Sequence, residues 1–196
     1  MDSIKVHVMT EIVVIGPRDL APSEFYFIDT TSKSVTGSKF LSPFFLGPVE
    51  IPITGEIARN VENGWQFTKL YEEHTDNEGN PTDEYWQWRE DGLTETWAQR
   101  YPMGKGKKPL CSLLENRRLD YVEARREIYV EIYKQGLLNS DCWKSFVDYV
   151  ATRDKVALWD FDGYLTEDDF ETVLSNPNKK MGHAFVVKAL LEEELK

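Results

Sequence analysis

Cysteine, histidine and positive charge are all in short supply. The 196-residue chain holds two cysteines, Cys111 and Cys142, and three histidines, His7, His74 and His183. There is no CxxC pair and no metal-ligand spacing among them, so neither a structural nor a catalytic zinc site is expected. Two distant thiols do not form a disulfide framework, and the expectation is a cytoplasmic protein with reduced cysteines. No apolar run approaches the ~20 residues that cross a bilayer, so no membrane span is expected. Lys and Arg number 23 against 34 Asp and Glu, a formal net charge of −11. Sequence-independent grip on duplex DNA rests on many cationic contacts to phosphate, so a general DNA-coating role is not expected, although a local basic pocket remains compatible. Internal repeats, low-complexity tracts and linkers are also missing, which points to one domain over residues 1–196.

What is present is the material of a folded core: 41% hydrophobic and 13% aromatic residues. Ile4, Val6 and Val8 alternate as in a half-buried strand, and charged Asp2, Lys5 and Glu11 make MDSIKVHVMTEIVVIG a strand pattern rather than a signal peptide. EIVVI at 11–15, FYFIDT at 25–30 and KVALW at 155–159 are further strand candidates. A helix broken near Gly92 is expected in EYWQWREDGLTETWAQRY. RRLDYVEARREIYVEIYKQG, 117–136, reads as a helix with Tyr121, Val122, Ile128, Tyr129, Ile132 and Tyr133 on its apolar face and Gly136 as its stop. Ser140 and Thr166 are candidate caps for the helices that follow, and MGHAFVVKALLEEELK closes the chain as an amphipathic helix. The fold class expected is α+β, with a β-rich N-terminal part packed on a helical C-terminal two-thirds.

Two familiar ligand loops fail on inspection. EEHTDNEGNPTDE, 72–84, puts His74 at the first ligand position of a calcium loop when Gly79 takes the required glycine, so it reads as a solvated loop. YPMGKGKKP, 101–109, is basic and glycine-bearing, yet no Lys-Ser/Thr ends it as a phosphate-binding P-loop requires.

The polar residues that invite a chemical reading lie in VENGWQFTKLY, 61–71. In a helix Glu62, Gln66 and Lys69 share a face at i, i+4 and i+7, with Trp65 beside them. Taken alone this is either a wet stripe or the floor of a pocket. Arg125 sits on the apolar face of the 117–136 helix and needs a partner, since unpaired burial of its charge is costly. A salt bridge to a neighbouring acid is the plainer expectation, a ligand contact the sharper one.

Five blocks bring the parts together: FLSPFF (40–45), VENGWQFTK (61–69), RRLDYVEAR (117–125), LWDFDG (158–163) and NPNKKMGHAFVVKALL (176–191). In this order they resemble the motifs of the NADAR (YbiA-like) family. The resemblance implies a YbiA-like domain over 36–196, with residues 1–35 as an added β element. It also implies cleavage of an N-glycosidic bond, either in a ribosylaminopyrimidine phosphate or between ADP-ribose and guanine. In that reading Glu62 and Asp160 are the catalytic carboxylates, because positive charge building on the sugar is stabilised by a fixed carboxylate. Lys69 and Arg125 hold phosphate, Trp65 and Trp159 stack on a ring, Gln66 and Asp162 complete the pocket, and Arg118 and Asp120 either form a structural pair or shape the pocket. No metal and no cofactor is implied; the partner is a nucleotide-like or ADP-ribosylated small molecule or base. The chain departs from the family at Asn63-Gly64, at Asp162 where a Trp is expected, and at Asn178, four residues before Gly182. A non-catalytic nucleotide- or ADP-ribose-binding module and a structural or partner-binding domain are the alternatives.

Overall fold

A computed structural model describes residues 10–196; the alternation at residues 4–9 lies outside the described residues. Val156, Ala157 and Leu158 are a continuous apolar run with no exposure at all. Such a run, without polar alternation, suits a strand covered on both faces and both edges. It forms the middle strand of a three-stranded parallel sheet. We label the strands in chain order: β1 (Glu11–Ile15) and β2 (Tyr26–Asp29) flank this strand, which is β8 (Lys155–Trp159). The register pairs Ile15 with Trp159 on one side and Asp29 with Trp159 on the other. Residues 11–29 are therefore not an appendage, and the β-rich part is not confined to the N-terminus. Both early strands depend on a late one.

Two small antiparallel pieces complete the sheets of the described residues. β3 (Val49–Glu50) pairs with β4 (Ile57–Ala58), and β5 (Lys69–Leu70), β6 (Cys111–Leu114) and β7 (Arg117–Leu119) form a second three-stranded sheet. Between them run α1 (Val61–Gln66) and α2 (Asp83–Thr94). The expected break at Gly92 does not occur. A Cβ there would lie 2.0 Å from the Phe67 ring, so the glycine is a packing contact inside an unbroken helix.

The helix expected over 117–136 begins later and ends later. Arg117 and Arg118 belong to β7, and Asp120 starts α3 (Tyr121–Ala124). The chain then makes a π turn (Arg125–Tyr129) and continues as α4 (Val130–Leu138). Gly136 is inside α4, where a Cβ would meet Val61 at 3.0 Å and Val49 at 3.1 Å. It is the gap into which α1 and β3 press. The remaining helices are α5 (Cys142–Val150), α6 (Phe170–Ser175) and α7 (His183–Glu194). Asp169, not Thr166, caps α6, accepting the Thr172 amide at 2.8 Å. Ser140 donates to the Leu137 carbonyl at 2.6 Å and leaves α5 without a side-chain cap. α7 buries Ala184, Phe185, Val187 and Leu191, as its pattern requires. The result is one α+β domain with a shared core. Among the described residues no helix is long and apolar enough to cross a membrane.

Candidate functional site

α1 is only six residues long, and its start is held from three directions. The Asn60 side chain accepts the Asn63 amide at 2.8 Å. The Val61 and Glu62 amides donate to the carbonyls of Leu46 (2.8 Å) and Pro43 (3.0 Å). The turn at 42–46 thus fixes the helix end that carries Glu62, an anion favourably placed in the first turn. The helix stops at Gln66, so Lys69 lies in β5 rather than on a third helical turn. The three polar groups still meet. Lys69 Nζ donates to Gln66 Oε1 at 2.7 Å, and Gln66 Nε2 donates to Glu62 Oε1 at 2.9 Å. The amide orientation is dictated by its neighbours: an ammonium on one side and a carboxylate on the other.

These groups line a cleft of about 690 Å³, within the range of roughly 300–1,000 Å³ common for small-molecule sites. Glu62 is 6% exposed. Burial pushes its carboxyl above the ordinary value, against the Gln66 hydrogen bond and the charges of Lys69, Arg100 and His183. Burial likewise pulls Lys69 down to about 8, with Glu62 acting against it. The Lys69 ammonium also lies 4.4 Å over the Trp65 ring. Trp65 in turn packs edge-on to Tyr129, centroids 5.3 Å apart, and near Tyr121 at 6.4 Å. Together the three rings make an aromatic wall.

The opposite side is built where β8 ends and α7 begins. Asp160 Oδ2 lies 3.0 Å from His183 Nδ1 and accepts the Ala184 amide at 3.2 Å. His183 Nε2 is 2.9 Å from the Thr30 carbonyl. A carbonyl can only accept, so Nε2 carries a proton, and the carboxylate on the other side favours a second one. Burial alone lowers the imidazole, but Asp160, the Thr30 carbonyl and Glu62 outweigh it and raise His183 above its usual value. Burial raises Asp160, and the His183 charge, its hydrogen bond and the two backbone amides more than offset that, leaving it lowered. The pair is a buried imidazolium–carboxylate, 6% and 4% exposed. Gly182 makes room for it: a Cβ there would lie 2.1 Å from Asp160 Oδ2.

Of the residues singled out from sequence, Glu62, Trp65, Gln66, Lys69, Arg125, Asp160 and Asp162 line this one cleft. Arg125 does so at its edge and is committed to structure. Its guanidinium donates to the carbonyls of Leu174 (3.2 Å), Asn176 (3.0 Å) and Lys179, closing the C-terminal end of α6 and the segment after it. The expected salt bridge to an acid is absent among the described residues, and most of the guanidinium's donors are spent on backbone carbonyls. Trp159, Arg118 and Asp120 do not line the cleft. Trp159 packs on Phe161 (4.9 Å). Arg118 donates to the Gly79 carbonyl. Asp120 caps α3, accepting the Val122 and Glu123 amides at 2.8 and 2.9 Å while Glu123 accepts its own amide. It therefore pairs with backbone rather than with Arg118.

The Asn63-Gly64 departure is also structural. Gly64 admits Ile132, Ile51 and Ala58, all within 3.3 Å of where its Cβ would sit. Asn63 is fully buried. Its amide donates to the Glu95 (2.9 Å) and Trp97 (3.2 Å) carbonyls and accepts the Gln99 amide at 2.8 Å. It anchors the loop that delivers Arg100 to the cleft.

Sequence reasoning missed His183, Arg100, Lys180 and the aromatic pair Tyr121 and Tyr129. The tyrosines had been assigned to the core face of a helix. The glycine–lysine loop, set aside as no P-loop, lends Lys105 and Lys107 to the rim. The one available signal was His183 at the start of an apolar helix, a position where an imidazole needs a partner. No curated protein and no solved structure matches the chain significantly. The family of unknown function DUF6939 matches residues 19–187, most of the chain, and the chain belongs to that family.

Proposed function

We propose that the cleft binds a nucleotide-like or ADP-ribosyl molecule and hydrolyses its N-glycosidic bond. The observation that carries this reading is the convergence of Glu62, a buried carboxylate with a raised pKa, and an aromatic wall of Trp65, Tyr121 and Tyr129 in one small-molecule-sized cleft. The ordered blocks that resemble the NADAR family, and the YbiA-like fold they imply, support it from the sequence side.

The wall stacks a heterocyclic base, and Glu62 lies against the sugar. As the bond from the anomeric carbon to the ring nitrogen breaks, its electron pair leaves with the base, which takes a proton from solvent. The ionised Glu62 carboxylate stabilises the positive charge on the sugar and accepts the proton of the attacking water. Gln66 and Lys69 hold Glu62 in place. Asp160 is a positioning residue in this scheme: it keeps His183 charged, and that charge favours ionised Glu62. The test is release of free base or ADP-ribose from ribosylated pyrimidine phosphates and from ADP-ribosylated guanine in single-stranded DNA. Glu62→Gln should lower turnover by on the order of 10²-fold or more with the fold retained. Undiminished turnover in that variant would sink the assignment.

One observation favours a second reading, a module that binds such a molecule without cleaving it. Asp160, the other candidate catalytic carboxylate, has one oxygen committed to His183 and Ala184, which ties it to a structural pair rather than leaving it as a second reacting acid. Saturable binding with no release from any of these substrates would select this reading.

A further inference from the structure

Arg100 Nη2 lies 3.5 Å from Asp162 Oδ2, and Lys180 Nζ lies 3.6 Å from Asp162 Oδ1. Two cations from opposite sides, one on the loop after α2 and one just before α7, thus converge on a single carboxylate in the wall of the cleft. Both pairs are long, and all three side chains are partly exposed, with Arg100 at 41% and Lys180 at 71%. The backbone of Asp162 is fastened on both sides. Its carbonyl accepts the Gly182 amide at 3.2 Å, and its amide is 3.5 Å from Asp160 Oδ1. Its side chain can turn away without moving the chain.

We infer that Arg100 and Lys180 form a phosphoryl subsite in which Asp162 stands as a built-in counterion, displaced when a phosphorylated ligand enters. The inference rests on the reading of the cleft as a nucleotide-like site and gives that ligand a required phosphoryl group. Charge selects phosphate over carboxylate. An incoming carboxylate would only replace one monoanion by another. A phosphoryl group brings a charge of about −2 and three acceptor oxygens, so it gains on the exchange. The rest of the cleft agrees: seven Lys and Arg side chains line it against Glu62, Asp160 and Asp162, within a chain of net charge −11. Arg100 also acts on Glu62, favouring its ionised form, so the ligand's phosphoryl end and its scissile bond sit on neighbouring groups. Asn63 is the positioning residue, since its three hydrogen bonds hold the loop that ends at Arg100.

The experiment is calorimetric titration of the intact protein with ribose 5-phosphate, inorganic pyrophosphate and unphosphorylated ribose at low salt. The phosphorylated probes are expected to bind and ribose to bind at least about tenfold more weakly. Arg100→Ala with Lys180→Ala should weaken the phosphorylated probes by about tenfold or more, and Asp162→Asn should tighten them by about threefold to tenfold. Unfolding midpoints of the variants, which alter exposed side chains, verify that each is folded. Equal binding of ribose and ribose 5-phosphate, or no response to the double substitution, would overturn the subsite. Unchanged or weaker binding in Asp162→Asn would overturn the counterion role. Base release is measured separately: phosphate binding without turnover leaves this inference standing while the hydrolase reading fails.

Discussion

His183 is buried with an acceptor on each side of its ring, which makes its protonation state a property of the fold. Its pKa is raised above the ordinary 6.5, so the stability it contributes is complete below that value and is lost as pH climbs through the raised one. Asp160 is lowered below 3.8, so its contribution is complete above that value and is lost as pH falls through the lowered one. The pair therefore stabilises most fully between 3.8 and 6.5. The unfolding midpoint of the protein should fall as pH rises from about 6.5 toward 9, and His183→Gln should flatten that slope. An unaltered slope would place its origin elsewhere. His183→Gln should also destabilise by about 3–5 kcal/mol at pH 6, because it strands the Asp160 charge. Gly182→Ala presses on the same carboxylate and should cost about 1–3 kcal/mol. At this scale the sequence was legible for Glu62, Gln66 and Lys69, whose types and spacing already hinted at contact. His183 was legible only as an imidazole in need of a partner, because its two acceptors come from residues 23 and 153 positions away and no local pattern identifies them.

At the scale of elements, the π turn after α3 shapes the cleft. In an ordinary helix, side chains at i, i+4 and i+8 drift by roughly 40° per step. The wider turn at Arg125–Tyr129 takes back part of that drift, and Tyr121, Arg125 and Tyr129 all reach the cleft. Arg125 then serves as the tie between this helix and the end of α6. Arg125→Met should destabilise by about 3 kcal/mol or more, since several buried carbonyls lose a charged donor at once. Arg125→Lys should rescue little, because one ammonium cannot reproduce the planar fork. Faster proteolysis near 175–180 in both variants is the readout, and resistance equal to the parent would refute the tie. Gly92 gives a prediction with an inverted sign. Helix propensity says that Gly→Ala stabilises an interior position by about 1 kcal/mol. The Phe67 ring occupies the space, so Gly92→Ala should destabilise, as denaturant midpoints will report. Here lies the general reason the sequence misplaced helix ends. Gly92 and Gly136 look like punctuation, and they are contacts made for partners far along the chain.

Over the whole molecule, charge is divided unevenly: an acidic exterior surrounds a cleft with an excess of cationic groups. Such a field draws small anions inward and repels polyanions at large. Affinity for ribose 5-phosphate should fall by roughly tenfold between about 0.05 and 0.5 M salt, while heat capacity and stoichiometry stay constant. A flat salt response would show that the cations are already neutralised by their neighbours. Composition alone announced the exterior. It could not announce the cleft, whose cations are scattered from Lys33 to Lys180 and meet only in the fold.

The sheet order β1-β8-β2 sets when the site can exist. β1 and β2 do not touch each other; each finds its partner only in a strand more than 120 residues downstream. A chain emerging from synthesis therefore carries two early strands with open edges until residue 159 is free. The closure entropy of those long loops must be met before the sheet offers any return. Asp160 follows that last strand directly, and His183 comes later still. Folding and acquisition of the cleft should thus be one late, slow event, with the nascent chain exposed to edge pairing for most of its synthesis.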